Sequence, residues 1–319
     1  EEILSYLAKE NDFVKTILEY RSLTKLQNTY IKALPNQISK NTGKIHTEYL
    51  QTVAATGRLS SINPNLQNIP IRKERGKEIR KAFIPRNKDF VILSADYSQI
   101  ELRIIAALSE EGNMINAFEN NEDIHSSTAA LIFNTKIKNV TNMQRTNAKT
   151  VNFGIIYGVS AFGLSNQTNL SRKESKELIE TYYNKYPKLK QYIASQISFA
   201  REKGYVETLL GRRRYLKDIN SRNSIVRGGA ERNAINAPIQ GSAADIIKIS
   251  MINIQSKFIE RKFQSKMLLQ VHDELVFDVF KPELNDVITL VKYEMENAFT
   301  LKVPLTVDID YGKNWLEAH

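Results

Sequence analysis

Cysteine is wholly absent from the 319 residues. That excludes disulfides and thiolate zinc sites, and it fits a reducing compartment without requiring one. Long apolar runs are missing too: no stretch reaches the roughly eighteen residues that a membrane-spanning helix needs. Neither internal repeats nor low-complexity tracts occur. The chain opens at Glu1 with no signal peptide and no initiating Met, so a piece of a longer protein is expected. Acidic residues are in the minority, 35 against 45 Lys and Arg, for a formal net charge of +10. Such an excess suits a polyanionic partner, although many basic proteins bind none. What is present is ordinary globular material, 42% hydrophobic and spread in short periodic runs. A chain of this length can bury a substantial core, as one large or two to three smaller domains.

Residues 1–33 place aliphatics at helical spacing and predict two helices with a break near Asn11 and Asp12, ending before Pro35. Residues 44–71 turn rich in Thr, Ser, Asn and Pro, which predicts short strands within ordered loop. The run Phe90–Ala95 suits a buried strand that leaves Asp96 at its carboxyl end, and Gln99–Leu108 reads as a helix. From Glu111 to Lys217 the pattern is almost wholly helical, including 173–185 and 187–203. A long helix from Ser224 should be kinked or broken at Pro238, where a backbone donor is lost. Residues 267–271 and 275–280 predict a hairpin with carboxylates at its tip, followed by a helix over 287–299 and a strand over 305–310. Strands and helices mix without regular βαβ alternation, so the fold class expected is α+β.

Arg145, Lys149, Phe153 and Tyr157 recur at a spacing of four. On a helix they form one slightly spiralling stripe, cations at one end and rings at the other. The stripe matches a nucleoside triphosphate laid lengthwise, phosphates on the cations and base against the rings. A solvated basic turn followed by a core aromatic pair is the plainer alternative. Asp96 and Asp273 each follow an apolar run. A carboxylate there is costly to desolvate unless it is paired or bound to metal, and oxygen ligands suit Mg²⁺. Taken singly, each acid also reads as a turn former or salt-bridge partner.

Asp96-Tyr-Ser-Gln-Ile-Glu-Leu-Arg103, the Arg145 to Gly158 stripe and Val271-His-Asp-Glu274 together resemble motifs A, B and C of the family A DNA polymerases, in order, and most closely those of the bacterial members. Thr56-Gly-Arg-Leu-Ser-Ser61, Asn63-Pro-Asn-Leu-Gln-Asn-Ile-Pro70, Asp123-Ile-His125 and the segment Arg232 to Asp245 match as well. The resemblance spans nearly the whole chain. It implies a right-hand architecture: an antiparallel-sheet palm in two parts (residues 44–110 and 224–319), inserted helical fingers (111–223) and a thumb remnant (1–43). It implies template-directed DNA synthesis from deoxynucleoside triphosphates with two Mg²⁺ ions held by Asp96, Asp273 and the Tyr97 carbonyl, Glu274 supporting.

By the same resemblance Arg145, Lys149, His125 and Arg72 bind the triphosphate, Phe153 packs on the incoming nucleotide and Tyr157 marks the template-base site. Gln99 joins the nucleotide set, and Glu101 is the gate against a 2′-hydroxyl, with a salt bridge to Arg103 as its plainer alternative. Arg58, Asn65, Gln67, Asn68, Arg232, Asn236, Gln240 and His272 are the expected DNA contacts. No exonuclease domain is expected. A monomer is expected, in the bacterial cytoplasm or nucleoid, or in host cytoplasm if phage-encoded. The competing reading is a truncated piece that only binds nucleotide and DNA weakly. A single-subunit RNA polymerase and a metal-dependent nuclease are further alternatives, which ribonucleotide incorporation and DNA degradation assays separate.

Overall fold

The computed structural model of the protein describes residues 2–71, 74–168 and 170–319. Helices α1 (Glu2–Leu7) and α2 (Asp12–Leu26) are separated at Asn11, whose side-chain oxygen accepts from the Phe13 and Val14 amides. That bond satisfies two donors that a helix start leaves orphaned. Past α2 the chain makes one π turn, Gln27–Ile31, and then α3 (Ala33–Asn36). The helical region therefore does not stop before Pro35. Pro35 lies in the first turn of α3, where a missing N–H removes no helical bond. Strands β1 (Glu48–Leu50) and β2 (Ser60–Ile62) pair antiparallel, and the single turn α4 (Glu74–Lys77) follows.

Strand β3 (Phe90–Tyr97) leads into α5 (Ile100–Ser109) through Gln99, which adopts a left-handed conformation as the cap. Helices α6 (Gly112–Glu119), α7 (Ile124–Ile132), α8 (Asn142–Ile156), α9 (Ala161–Gln167), α10 (Arg172–Lys185) and α11 (Pro187–Lys203) come next. The helical pattern does not extend to Lys217: β4 (Tyr205–Glu207) and β5 (Arg213–Tyr215) form a hairpin instead. Tyr205 and Tyr215 face each other with ring centroids 5.7 Å apart and Arg213 lies over the Tyr205 ring. Cross-strand pairs of this kind stabilise a hairpin that helical periodicity cannot reveal.

Helix α12 (Ser224–Glu260) runs unbroken for 37 residues with Pro238 inside it. An interior proline ordinarily costs about 3 kcal/mol. Here Ala234, Ala237, Pro238 and Ile239 are all buried, so packing holds the helix together where local preference would end it. The remaining elements are β6 (Lys266–Val271), β7 (Glu274–Phe280), α13 (Leu284–Glu296) and β8 (Val307–Gly312).

Strands β6, β7, β3 and β8 lie side by side in that order, all antiparallel. The alternation along β3 explains why it is buried on both faces. Val91, Leu93, Ala95 and Tyr97 join the main core with residues of α5, α12 and α13. Ile92, one step out of phase, packs with Val276, Leu66 and Trp315 in a second cluster. Successive strand residues face opposite sides, so Asp96 shares the side of Ile92 and Trp315.

Candidate active site

The register of β3 on β7 sets Asp96 opposite Glu274, and the Tyr97 amide donates to the Asp273 carbonyl at 3.2 Å. Asp273 lies in the tight turn between β6 and β7, next to His272, which takes a left-handed conformation with φ of 57°. A strand end and a turn tip are thereby brought together by one sheet. Burial and the neighbouring Asp273 and Glu274 push the Asp96 carboxyl up to about 7, and burial raises Asp273. Two carboxylates held half-buried beside each other disfavour their own ionisation.

Glu274 behaves differently. Its Oε1 accepts from Ser94 Oγ and from Trp315 Nε1, both at 2.7 Å, and His319 Nδ1 lies 3.5 Å away. The buried Arg80 guanidinium stands 3.7 Å from the other oxygen and 4.1 Å from the Trp315 ring centre. Burial alone would raise this carboxyl, but the bonds from His319, Trp315 and Ser94 outweigh it and hold it below the usual range. Glu274 is thus engaged on the side away from solvent, whereas one oxygen of Asp96 is buried with no hydrogen-bond partner. Sequence reasoning missed Arg80, Ser94 and Trp315, because no local pattern links residues so far apart along the chain.

Among the described residues no group of three or more His, Asp and Glu side chains is gathered into a metal cage. The residues present do fit Mg²⁺, which takes one or two carboxylates and completes its shell from substrate phosphates and water. The orphaned Asp96 oxygen and the adjacent Asp273 are the available hard donors, and Glu274 is occupied elsewhere.

On α8 the Thr141 hydroxyl accepts from the Gln144 amide while the Gln144 side chain accepts from the Thr141 amide. This capping box fixes the first turn, which carries Arg145. Arg145, Lys149 and Phe153 follow on the helix, and Tyr157 is the residue just past its end. Gly158 then turns back with φ of 65°, and a Cβ there would meet the Arg232 side chain at 2.8 Å. Lys149, Phe153, Tyr157 and Arg232 line an open cleft of about 660 Å³. Arg145 is paired with Asp123 at 2.5 Å, and Asp123 also caps the start of α7 through the His125 amide.

His125 lies 5.6 Å from the Phe153 ring and its Nδ1 receives a hydrogen bond from Asn152 at 3.1 Å. An accepting Nδ1 leaves Nε2 carrying the proton. Burial lowers its pKa to about 4; Asp123 opposes that shift, and Lys149 and Arg145 add to it. The ring is therefore a neutral donor at pH 7. Asn152, fully buried beside it, is another residue sequence reasoning missed.

Glu101 joins the sheet side to the helical side. Its carboxylate receives Arg58 Nη2 at 2.5 Å and the Tyr157 hydroxyl at 2.9 Å. The salt bridge to Arg103 does not form, since Arg103 donates to the Ser98 and Pro304 carbonyls. Gln240 also hydrogen-bonds Tyr157, and Asn236 keeps one buried oxygen unpartnered. Gln67 donates to the Gln270 side chain at 3.0 Å, and Gln270 in turn holds the His272 carbonyl. Asn65 receives the Gln67 amide, and Tyr30 donates to the Asn68 carbonyl. Gln99 caps α5 without a side-chain bond, and the Tyr97 hydroxyl is tied to Ser250 and to the Met295 carbonyl. Arg72 lies outside the described residues.

The model of the family described as DNA polymerase family A matches residues 1–317. Curated relatives include the DNA polymerase I of Lactococcus lactis subsp. cremoris, 53% identical over 318 residues, and that of Geobacillus stearothermophilus, 51% identical over 317. Each alignment covers 99% of this chain but only 36% of the relative. The chain also resembles the POL domain of Pol1 from M. smegmatis, solved in complex with DNA primer-template and dNTP. That match has a TM-score of 0.94 and 44% identity, over 99% of this chain and 56% of the other.

Proposed function

The chain belongs to DNA polymerase family A, and from that premise we propose that it extends a DNA primer on a template with deoxynucleoside triphosphates. The observation that carries the reading is that Asp96 and Asp273 lie beside each other at one end of the sheet, in reach of Arg58 and Glu101, and that Glu101 bridges on to Tyr157 of the cation and ring stripe. In this reading residues 44–110 and 224–319 are the palm, 111–223 the fingers and 1–43 part of a thumb. Supporting that division, the four-stranded sheet draws only on residues 90–97 and 266–312, while the elements described between 112 and 203 are all helices.

The reaction joins the primer 3′-hydroxyl to the α-phosphate and releases pyrophosphate. Two Mg²⁺ ions held by Asp96, Asp273 and the Tyr97 carbonyl would neutralise charge on the attacking and leaving oxygens. The chain's own residues do the positioning. Arg145, Lys149 and the Nε2–H of His125 hold the triphosphate, where charge grows on the leaving group. For Arg145 this means exchanging Asp123 for phosphate. Phe153 packs against the nucleotide, Gln99 borders it, and Glu101 occupies the space a 2′-hydroxyl would need. Tyr157 marks the template-base site. Arg58, Asn236 and Gln240 address minor-groove acceptors, which occur on every base pair and so report pair geometry without reading sequence. His272 stands by the primer end, and Asn65, Gln67, Asn68 and Arg232 contact the duplex.

Extension of a labelled primer with Mg²⁺ and all four deoxynucleotides, compared between the chain and Asp273→Ala, tests this. Extension by the parent chain and none by the variant supports the reading. Matched-nucleotide binding without extension would leave a binding module, and absence of nucleotide binding would refute the proposal altogether.

A further inference from the structure

The Thr56-Gly57-Arg58 segment is held by residues with no role in the reading above. Gly57 has φ of 79°, and a Cβ there would fall 2.5 Å from Nε of Arg212 and 2.8 Å from its Cζ. The guanidinium of Arg212 therefore lies directly against the Gly57 backbone. Lys248 Nζ also donates to the Gly57 carbonyl, at 2.6 Å. Both cations are anchored on α12. Arg212 Nε and Nη2 converge on Asp245 Oδ1 at 2.9 and 2.6 Å, while Asp245 Oδ2 accepts from Thr208 at 2.9 Å. Asp245 is buried, so this junction of the β4–β5 hairpin with α12 is fixed. Thr56 is confined as well, its carbonyl standing 3.2 Å from where a Gly241 Cβ would be.

The next residue along is Arg58, which reaches Glu101 and lines the same crevice as Asp273, His272 and Lys248. A long side chain inherits the orientation of the peptide that bears it. We propose that Arg212 is a positioning residue for primer extension: by packing on Gly57 it sets the peptide from which Arg58 addresses the primer end. The β4–β5 hairpin thereby contributes to the geometry of the reacting terminus without touching it. This rests on the reading of Arg58 given above. Lysine cannot take the place of Arg212, because a point charge on a flexible stem supplies neither the flat surface against Gly57 nor two N–H groups in one plane for Asp245.

The test is a double-mutant cycle of Arg58→Ala with Arg212→Ala, and with Arg212→Lys as the milder variant, each checked for an unchanged circular dichroism spectrum. The readouts are kcat and nucleotide KM on a matched primer. Arg212→Ala and Arg212→Lys should each lower kcat by about tenfold with KM little changed, as expected for misplacement of a reacting end. In the Arg58→Ala background the further loss should be under about twofold, since interacting residues are not additive. A full tenfold further loss would show that Arg212 acts independently of Arg58 and would overturn the proposal, as would normal kcat in Arg212→Lys. Normal extension by Arg58→Ala alone would instead strike at the reading of Arg58 itself, and the inference would fall with it.

Discussion

His125 illustrates how a side chain's chemistry is set by neighbours that its own motif does not contain. Its ring is buried beside Phe153, receives Asn152 on Nδ1 and faces Arg145 and Lys149, with Asp123 as the opposing charge. Burial and the two cations win over Asp123, and the pKa falls from 6.5 to about 4. The unfolded chain takes up a proton near pH 6.5 and the folded chain does not until about 4. His125 thus erodes stability as pH falls through that window and contributes nothing above it. An NMR titration should find this ring neutral at pH 5.5, and a midpoint near 6.5 would show that it is not kept dry. The motif residue was legible in the sequence. Its protonation state was not, because Asn152 sits on another helix, 27 positions along the chain, and carries no signal of its own.

At the level of elements, periodicity identified those that local chemistry dictates and failed where distant packing decides. The helices α10 and α11 fall within a residue of their expected ends, since Ser171 and Pro187 are start signals readable in the chain. Pro238 and the β4–β5 hairpin were misread for the opposite reason: buried alanines sustain α12, and a tyrosine pair closes the hairpin. The start of α8 belongs to the legible kind, and its capping box orients Arg145. Thr141→Ala should cost about 1 kcal/mol of stability. By fraying the turn that carries Arg145 it should also weaken nucleotide binding several-fold, to be measured by equilibrium titration with and without the substitution. Unchanged affinity would mean that Asp123 alone is enough to hold Arg145 in place.

For the molecule as a whole, the +10 charge makes an electrostatic prediction that no single residue can. Duplex binding should weaken steeply with salt, the logarithm of the association constant falling linearly with the logarithm of salt concentration at a slope of about −0.9 per phosphate neutralised. Arg232→Ala should reduce that slope by about one, measured by fluorescence anisotropy across a salt series. No helix among the described residues is long and apolar enough to cross a membrane. The order of the motifs made the right-hand plan legible, but the way its parts are fastened was not. The Arg58, Glu101 and Tyr157 bridge joins residues 43 and 56 positions apart, a separation at which periodicity carries no information.

Trp315 is the only tryptophan in the chain. It is fully buried, with its indole N–H on Glu274 and Arg80 over its ring. All of this chain's indole emission therefore arises from one point next to the turn that carries Asp273. A change in hydrogen bonding or charge there should alter the colour or yield of that emission, so the unlabelled protein carries its own optical gauge of events at its carboxylates.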